Sequence, residues 1–276
     1  MRIRSVTCYA LAFALLCAAL TAACTGSDAP APATDPEPTQ PPTTAAQASP
    51  SSVPATAAPS RTLPTAVPSA DEQEANDALL IEASRRGRLD DVRQLLARGA
   101  SAKASDGDGV TALIAAAYGA QLEIARELIA AGADVNVQDN TKQSAYLIAS
   151  SEIGDSPRAI EFLRLVLANG ADVTTLGSYN GTGLIRAADR GYTEIVAILL
   201  NTATNRDHVN NLGWTALLEA IILGGGDARH VEVVRLLVAA GANVNLADGS
   251  GVSPLSHARS RGYTEMVRIL EAAGAR

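Results

Sequence analysis

A three-residue motif, Ser or Thr followed two positions later by Leu or Tyr, recurs five times in this chain. Its copies begin at Thr111, Ser144, Thr182, Thr215 and Ser253, at steps of 33, 38, 33 and 38 residues. A glutamate follows 12 residues after the first residue of each copy, or 17 in the two longer units: Glu123, Glu161, Glu194, Glu232 and Glu265. A fixed period near 33 residues predicts a solenoid of stacked units, each burying its apolar face against its neighbours.

Each unit also carries the signals of a helix. Residues 122–129 place their apolar side chains on one helical stripe, and Gly132 suits the left-handed residue that ends a helix. The Asp and Asn residues that follow are typical of turns. The repeated glutamates are predicted to lie at the start of each second helix, where a negative charge meets the helix dipole favourably.

The motif of the last unit extends to Gly-Val-Ser-Pro-Leu-Ser-His-Ala at residues 251–258, and Gly-Tyr-Thr-Glu occurs at residues 191–194 and 262–265. This pattern resembles the ankyrin repeat family. The resemblance implies an all-α solenoid whose unit is a hairpin finger and two antiparallel helices. Six units are predicted, the first atypical, at about residues 75–105, 106–138, 139–176, 177–209, 210–247 and 248–276. His257, inside the signature, is expected to pack or to form a local hydrogen bond.

The N-terminal part of the chain has a different composition. Arg2 and Arg4 precede an apolar run at residues 6–20, which is short for a membrane span and predicts a signal peptide over residues 1–23. Residues 20–24, Leu-Thr-Ala-Ala-Cys, resemble a bacterial lipobox, although Thr21 departs from the preferred Leu. Cys24 is therefore the predicted lipidation site; the alternative is an ordinary signal peptide and a secreted soluble protein.

Residues 24–70, rich in Pro, Ala, Thr and Ser, are predicted to be a disordered linker before a repeat domain at 71–276.

The sequence carries no motif or charge pattern that supports several classes of function. All three cysteines, Cys8, Cys17 and Cys24, precede the repeats, so no disulfide or thiol chemistry is expected in them. The net charge of −7 and the lack of a basic run argue against nucleic acid, and membrane contact is expected only through the lipid. Asp227 and His230 are too few for a closed metal site, and Asp227 is expected to cap a helix. We therefore predict no cofactor, no metal and no enzymatic activity; a hydrolase or metal-dependent enzyme is the less favoured alternative.

The resemblance implies that a partner contacts the finger tips and the exposed ends of the first helices. The matching positions that form the predicted site are Tyr118, Tyr179, Asp189, Arg190, Leu212, Trp214, Ile222, Leu223 and Arg261. Four of them are apolar residues of the fifth unit, and exposed aromatic and apolar residues are common interface anchors. In the alternative, the extra residues of that unit lengthen its first helix and bury Ile222 and Leu223 beneath Gly224–Gly226.

The two longer units each hold five extra residues between their helices, near Ser151–Arg158 and Leu223–His230. Two packing steps of about 10 Å each would set these insertions roughly 20 Å apart on one edge. They are either a clamp for a partner or loops tolerated at an exposed turn after duplication of a two-unit block.

These observations together predict a protein-interaction module tethered to the cell envelope. Its partner is predicted to be an envelope protein that binds the concave face of a monomeric solenoid. The alternative is an accessory or protective factor for an envelope enzyme.

Overall fold

The computed structural model describes residues 69–276; the predicted signal peptide, Cys24 and nearly all of the predicted linker lie outside them. The described part contains twelve α-helices in six pairs and no β-strand, which confirms the all-α repeat fold. The pairs are α1 (Ala70–Arg85) with α2 (Leu89–Ala97), α3 (Ala112–Tyr118) with α4 (Leu122–Ala130), α5 (Ala145–Ser151) with α6 (Pro157–Ala168), α7 (Gly183–Asp189) with α8 (Thr193–Leu200), α9 (Ala216–Ile222) with α10 (Ala228–Ala239), and α11 (Pro254–Ser260) with α12 (Thr264–Ala272).

The repeated Ser or Thr is the N-cap of the first helix in units 2 to 6. In each of these units the side-chain oxygen accepts a hydrogen bond from the backbone N–H three residues later, as between Thr111 and Ile114. Such a cap stabilises a helix by about 1 kcal/mol. Because these first helices are only seven residues long, the cap supplies a large share of their local stability.

Most second helices end at a glycine in the left-handed conformation, such as Gly132 with φ 91°. The fourth unit has no such glycine. There the Asn201 amide donates to the Ala197 carbonyl at 2.8 Å, and the Thr202 hydroxyl donates to the Leu199 carbonyl at 2.6 Å. At this helix end the two side-chain hydrogen bonds add to the backbone bonds from the Asn201 and Thr202 N–H groups, at the position where the other second helices end in glycine.

The core is one continuous cluster that runs through all six units. Each first helix packs on the first helix of the next unit, and the second helices stack in the same order. The Leu or Tyr of every repeated motif is at most 1% exposed. Among residues 69–276 no helix is both long and apolar enough to cross a bilayer.

The five extra residues of units 3 and 5 do not lengthen the first helices. They start the second helices earlier: α6 and α10 have 12 residues each, against eight or nine in the other units. Ser156 and Asp227 cap these longer helices through their side chains, a bond that the other second helices lack. The prediction that every repeated glutamate lies at a helix start is therefore wrong for Glu161 and Glu232, which lie one turn further in because the helix begins earlier.

Candidate partner-binding face

A finger connects each unit to the next, and an Asp or Asn side chain holds four of the five fingers. These residues are Asp106, Asp139, Asn210 and Asp248. In each case Oδ1 accepts from the backbone N–H groups two and four residues later, at 2.8–3.1 Å. These short polar side chains stabilise turns in this way because they replace a missing backbone acceptor.

The finger of the fourth unit is built differently. Gly177 occupies the position of the Asp or Asn, and Tyr179 and Asn180 have left-handed backbones with φ of 56° and 61°. Non-glycine residues rarely adopt this conformation, and two in succession indicate a turn held by its surroundings. His208 Nε2 lies 2.8 Å from the Asn180 carbonyl, and the Asn211 N–H donates to the Tyr179 carbonyl at 2.9 Å. These contacts hold the turn, and the Tyr179 side chain is 62% exposed.

Three exposed apolar side chains lie on the last three fingers. Tyr179 is 62% exposed, Leu212 50% and Val252 36%; we call these three residues the fingertip strip. The fingers touch one another, since the Asn211 N–H binds the Tyr179 carbonyl and a Cβ on Gly213 would lie 2.7 Å from the Gly249 nitrogen. The strip therefore spans three contacting fingers.

The predicted apolar patch of the fifth unit is only partly exposed. Leu223, like Leu212, is exposed, but Trp214 and Ile222 are half-buried. The alternative that Leu223 is buried beneath the glycines is wrong, because α9 ends at Ile222 and the inserted residues leave Leu223 at the surface. In the sixth unit Val252, which precedes the repeated Ser253 as Trp214 precedes Thr215, is exposed.

The fingers of units 5 and 6 are each hydrogen-bonded to the first helix of the same unit. The Asn210 amide donates to Glu219 Oε1 at 2.7 Å, and His257 Nε2 lies 2.8 Å from Asp248 Oδ2. The expected local bond of His257 is thus confirmed. Arg261, exposed at the end of α11, lies with Nη1 3.1 Å from His257 Nδ1. Because the guanidinium can only donate, this nitrogen accepts and Nε2 donates to Asp248.

Glu219 is unusual for a residue in the middle of an apolar helix. It is 5% exposed, and burial, followed by the negative charge of Asp189, raises its pKa to about 7 although Asn210 donates to it. Burial also raises the pKa of Asp189, against the opposing effect of Arg190, whose Nε lies 3.7 Å away. A buried carboxyl group with a raised pKa therefore lies directly behind the finger that carries Leu212.

The middle of the face is polar and internally paired. Arg186 binds the Gln143 side chain at 2.9 Å and forms an ion pair with Glu152, so it joins the third and fourth units. The Arg186 side chain is 17% exposed. Tyr118, 51% exposed in the second unit, has a pKa raised by burial and by the charges of Asp139 and Glu152. Ordered polar groups and exposed aromatic side chains thus share one surface.

Asp227 and His230 have a structural role. Asp227 Oδ1 accepts from the His230 N–H at 3.0 Å, which confirms the predicted cap of α10. The His230 ring lies 2.8 Å from Asp227 Oδ2 and 3.0 Å from the Asp189 carbonyl. Residues 69–276 contain no cluster of three or more His, Cys, Asp or Glu side chains that could hold a metal ion.

Comparisons with known proteins agree with this architecture. A family model for ankyrin repeats matches residues 80–176, 147–248 and 184–276. A putative ankyrin repeat protein of Escherichia coli, YahD, is 37% identical over 194 residues, which are 70% of this chain and 94% of that protein. The crystal structure of an ankyrin repeat domain from Acinetobacter baumannii is 44% identical and covers 72% of this chain with a TM-score of 0.68. The ankyrin repeat protein EF0377 is 32% identical over 71% of this chain, with a TM-score of 0.66. The two structures match over 98% and 97% of their own lengths. The chain belongs to the ankyrin repeat family.

Proposed function

We propose that this chain is an exported, lipid-anchored protein whose ankyrin domain binds a protein partner in the bacterial cell envelope. Ankyrin repeats generally serve as protein-interaction modules, and the domain described here fits that role. The observation that carries the proposal is the fingertip strip, in which Tyr179, Leu212 and Val252 expose apolar surface on three contacting fingers.

The strip has the properties of an interface anchor. Exposed apolar surface commonly marks a binding site, and Tyr is enriched among energetically dominant interface residues. The strained backbone of Tyr179 adds to this, because such conformations concentrate at functional sites. Since Trp214 is half-buried, we assign the anchoring role to Tyr179 and Leu212.

A capture experiment tests the binding face. Full-length protein and a Tyr179→Ser/Leu212→Ser variant would each be used to capture partners from envelope extract. Leu79→Ser is the matched control, because Leu79 is 52% exposed but lies on α1, away from the fingers. We expect one envelope protein to be retained by the parent and the control and lost by the strip variant. Equal retention by all three would place the binding site elsewhere.

The anchor rests on the N-terminal sequence alone and needs its own test. The basic start, the short apolar run and the small residues before Cys24 support processing and lipidation. We expect a Cys24→Ser variant to move from the membrane fraction to the soluble fraction and to lose the mass of the acyl groups. A membrane fraction and mass unchanged by this substitution would refute the lipid anchor. A captured partner that is an enzyme protected by this protein would favour the accessory role.

A further inference from the structure

The two insertions meet although they belong to units that are not neighbours. Arg229 Nη1, in the insertion of unit 5, lies 3.5 Å from Asp155 Oδ2, in the insertion of unit 3. Tyr192 of unit 4 lies nearby: burial raises its pKa, and the charges of Arg190, Asp155 and Arg229 act on it. The inserted residues therefore come closer together than the separation of roughly 20 Å that the repeat spacing predicted.

Each insertion is also attached to the unit before it. Arg158 Nε donates to the Ala120 carbonyl at 2.7 Å, and its Nη2 donates to Gln121 Oε1 at 3.2 Å. His230, 9% exposed, places Nε2 3.0 Å from the Asp189 carbonyl. Both insertions therefore bind a backbone carbonyl of the unit before them: Ala120 in the turn after α3, and Asp189 at the end of α7.

The glycines of the second insertion allow close packing. A Cβ on Gly224 would lie 2.2 Å from His230 Cγ and 2.3 Å from the Ala220 carbonyl oxygen. A Cβ on Gly226 would lie 2.6 Å from Cδ1 of Tyr263, in unit 6. Side chains at these two positions would separate the insertion from the surfaces it covers. The segment is therefore packed against its neighbours, which a merely tolerated loop does not require.

We propose that the two insertions form a strap that crosses unit 4 and ties units 2 to 6 into one rigid body. In a repeat array each unit contacts only its neighbours, so stability is a sum of adjacent contacts. The contact between Asp155 and Arg229 skips one unit and adds a coupling to those between adjacent units. A strap on this edge keeps the curvature of the array constant, which reduces the entropy lost when a partner binds the fingers.

Hydrogen–deuterium exchange on the full-length chain tests the strap. Arg229→Glu places a second carboxylate beside Asp155, and Arg229 is exposed, so the variant should fold. We expect amides of α7 and α8, in unmutated unit 4, to exchange about two- to five-fold faster. This magnitude corresponds to the small free energy that an exposed ion pair contributes. The swapped variant Asp155→Arg/Arg229→Asp should return these rates to those of the parent.

Arg126→Glu is the matched control, because Arg126 lies 3.8 Å from Glu123 within the single helix α4. The Arg126→Glu substitution should change amide exchange rates only in units 1 to 3. The strap is overturned if Arg229→Glu leaves unit 4 unchanged, if the swap restores nothing, or if the control loosens unit 4 equally. Removal of residues 224–228 provides a second measurement: it should make unit 4 exchange faster still, and unaltered exchange in unit 4 would contradict the strap.

Discussion

Two departures from the repeated motif compensate for each other in a single contact. Tyr146 stands where the other four units have Leu, and Gly183, in the next unit, stands where the others have Ala or Pro. A Cβ on Gly183 would lie 2.3 Å from Tyr146 Oη, 2.7 Å from Cζ and 2.8 Å from Ser150 Oγ. Tyr146 is 1% exposed, so its ring is enclosed by the core.

The structure therefore predicts that Gly183→Ala destabilises the domain. Replacing Gly by Ala inside a helix normally stabilises it by up to about 1 kcal/mol. Here the added methyl group overpacks a full core, which costs about 1–3 kcal/mol. In the Tyr146→Leu background Oη and Cζ are absent and, of these three atoms, only Ser150 Oγ remains, so the same substitution should be close to neutral. The expected coupling between the two positions is about 2 kcal/mol or more, within the range found for residues in contact.

Urea denaturation of the parent, the two single variants and the double variant measures this coupling. With a slope of about 1–3 kcal/mol per M, a loss of 2 kcal/mol lowers the midpoint by about 1 M. If the unfolding free energy falls with urea concentration at the same slope in all four proteins, the same unfolding transition is being compared. The reasoning fails if Gly183→Ala is neutral in the parent, or if it is equally destabilising in both backgrounds.

Three further predictions follow from single contacts. Burial, and next the charge of Asp189, raises the pKa of Glu219 from 4.5 to about 7, so stability falls as pH rises through this interval. Glu219→Gln should therefore gain up to about 3 kcal/mol over the parent near pH 8 and almost nothing near pH 4, as measured by denaturation at each pH. Gly224→Ala should lower the melting temperature by several degrees because its Cβ meets His230, while Gly107→Ala, with nothing within 4 Å of its Cβ, should leave the temperature unchanged. Ser69→Ala removes the bond that the Ser69 hydroxyl oxygen accepts from the Glu72 N–H, and leaves the bond from the Ser69 backbone N–H to the Glu72 carboxylate. The substitution should cost about 1 kcal/mol, detected as faster hydrogen exchange of the first turn of α1.

Much of the fold could be predicted because its signals are local. The N-caps, the left-handed glycines and the apolar stripes each act within a few residues of the chain, and the 33-residue period repeats them. These signals located the helix pairs and the fingers. They also located Tyr179 and Leu212, since a finger tip has the same position in every unit.

The remainder of the site depends on contacts between units. Nothing in the order of the residues indicates that Trp214 is half-buried while Leu212 is exposed, because that depends on how adjacent fingers stack. The unusual turn in the finger of unit 4 had one sequence signal, Gly177 in place of Asp or Asn. That signal is visible only once the role of the other four side chains is known.

The sequence by itself determined the repeat, the helices within it and the positions from which a partner can be reached. Only the tertiary structure decided that the inserted residues lengthen α6 and α10, and that Asp155 and Arg229, 74 positions apart, meet across an entire unit. The physical reason is the range of the interactions. Capping and turn formation depend on near neighbours in the chain, whereas the strap depends on the stacking of three units, which each unit's own sequence specifies only in part.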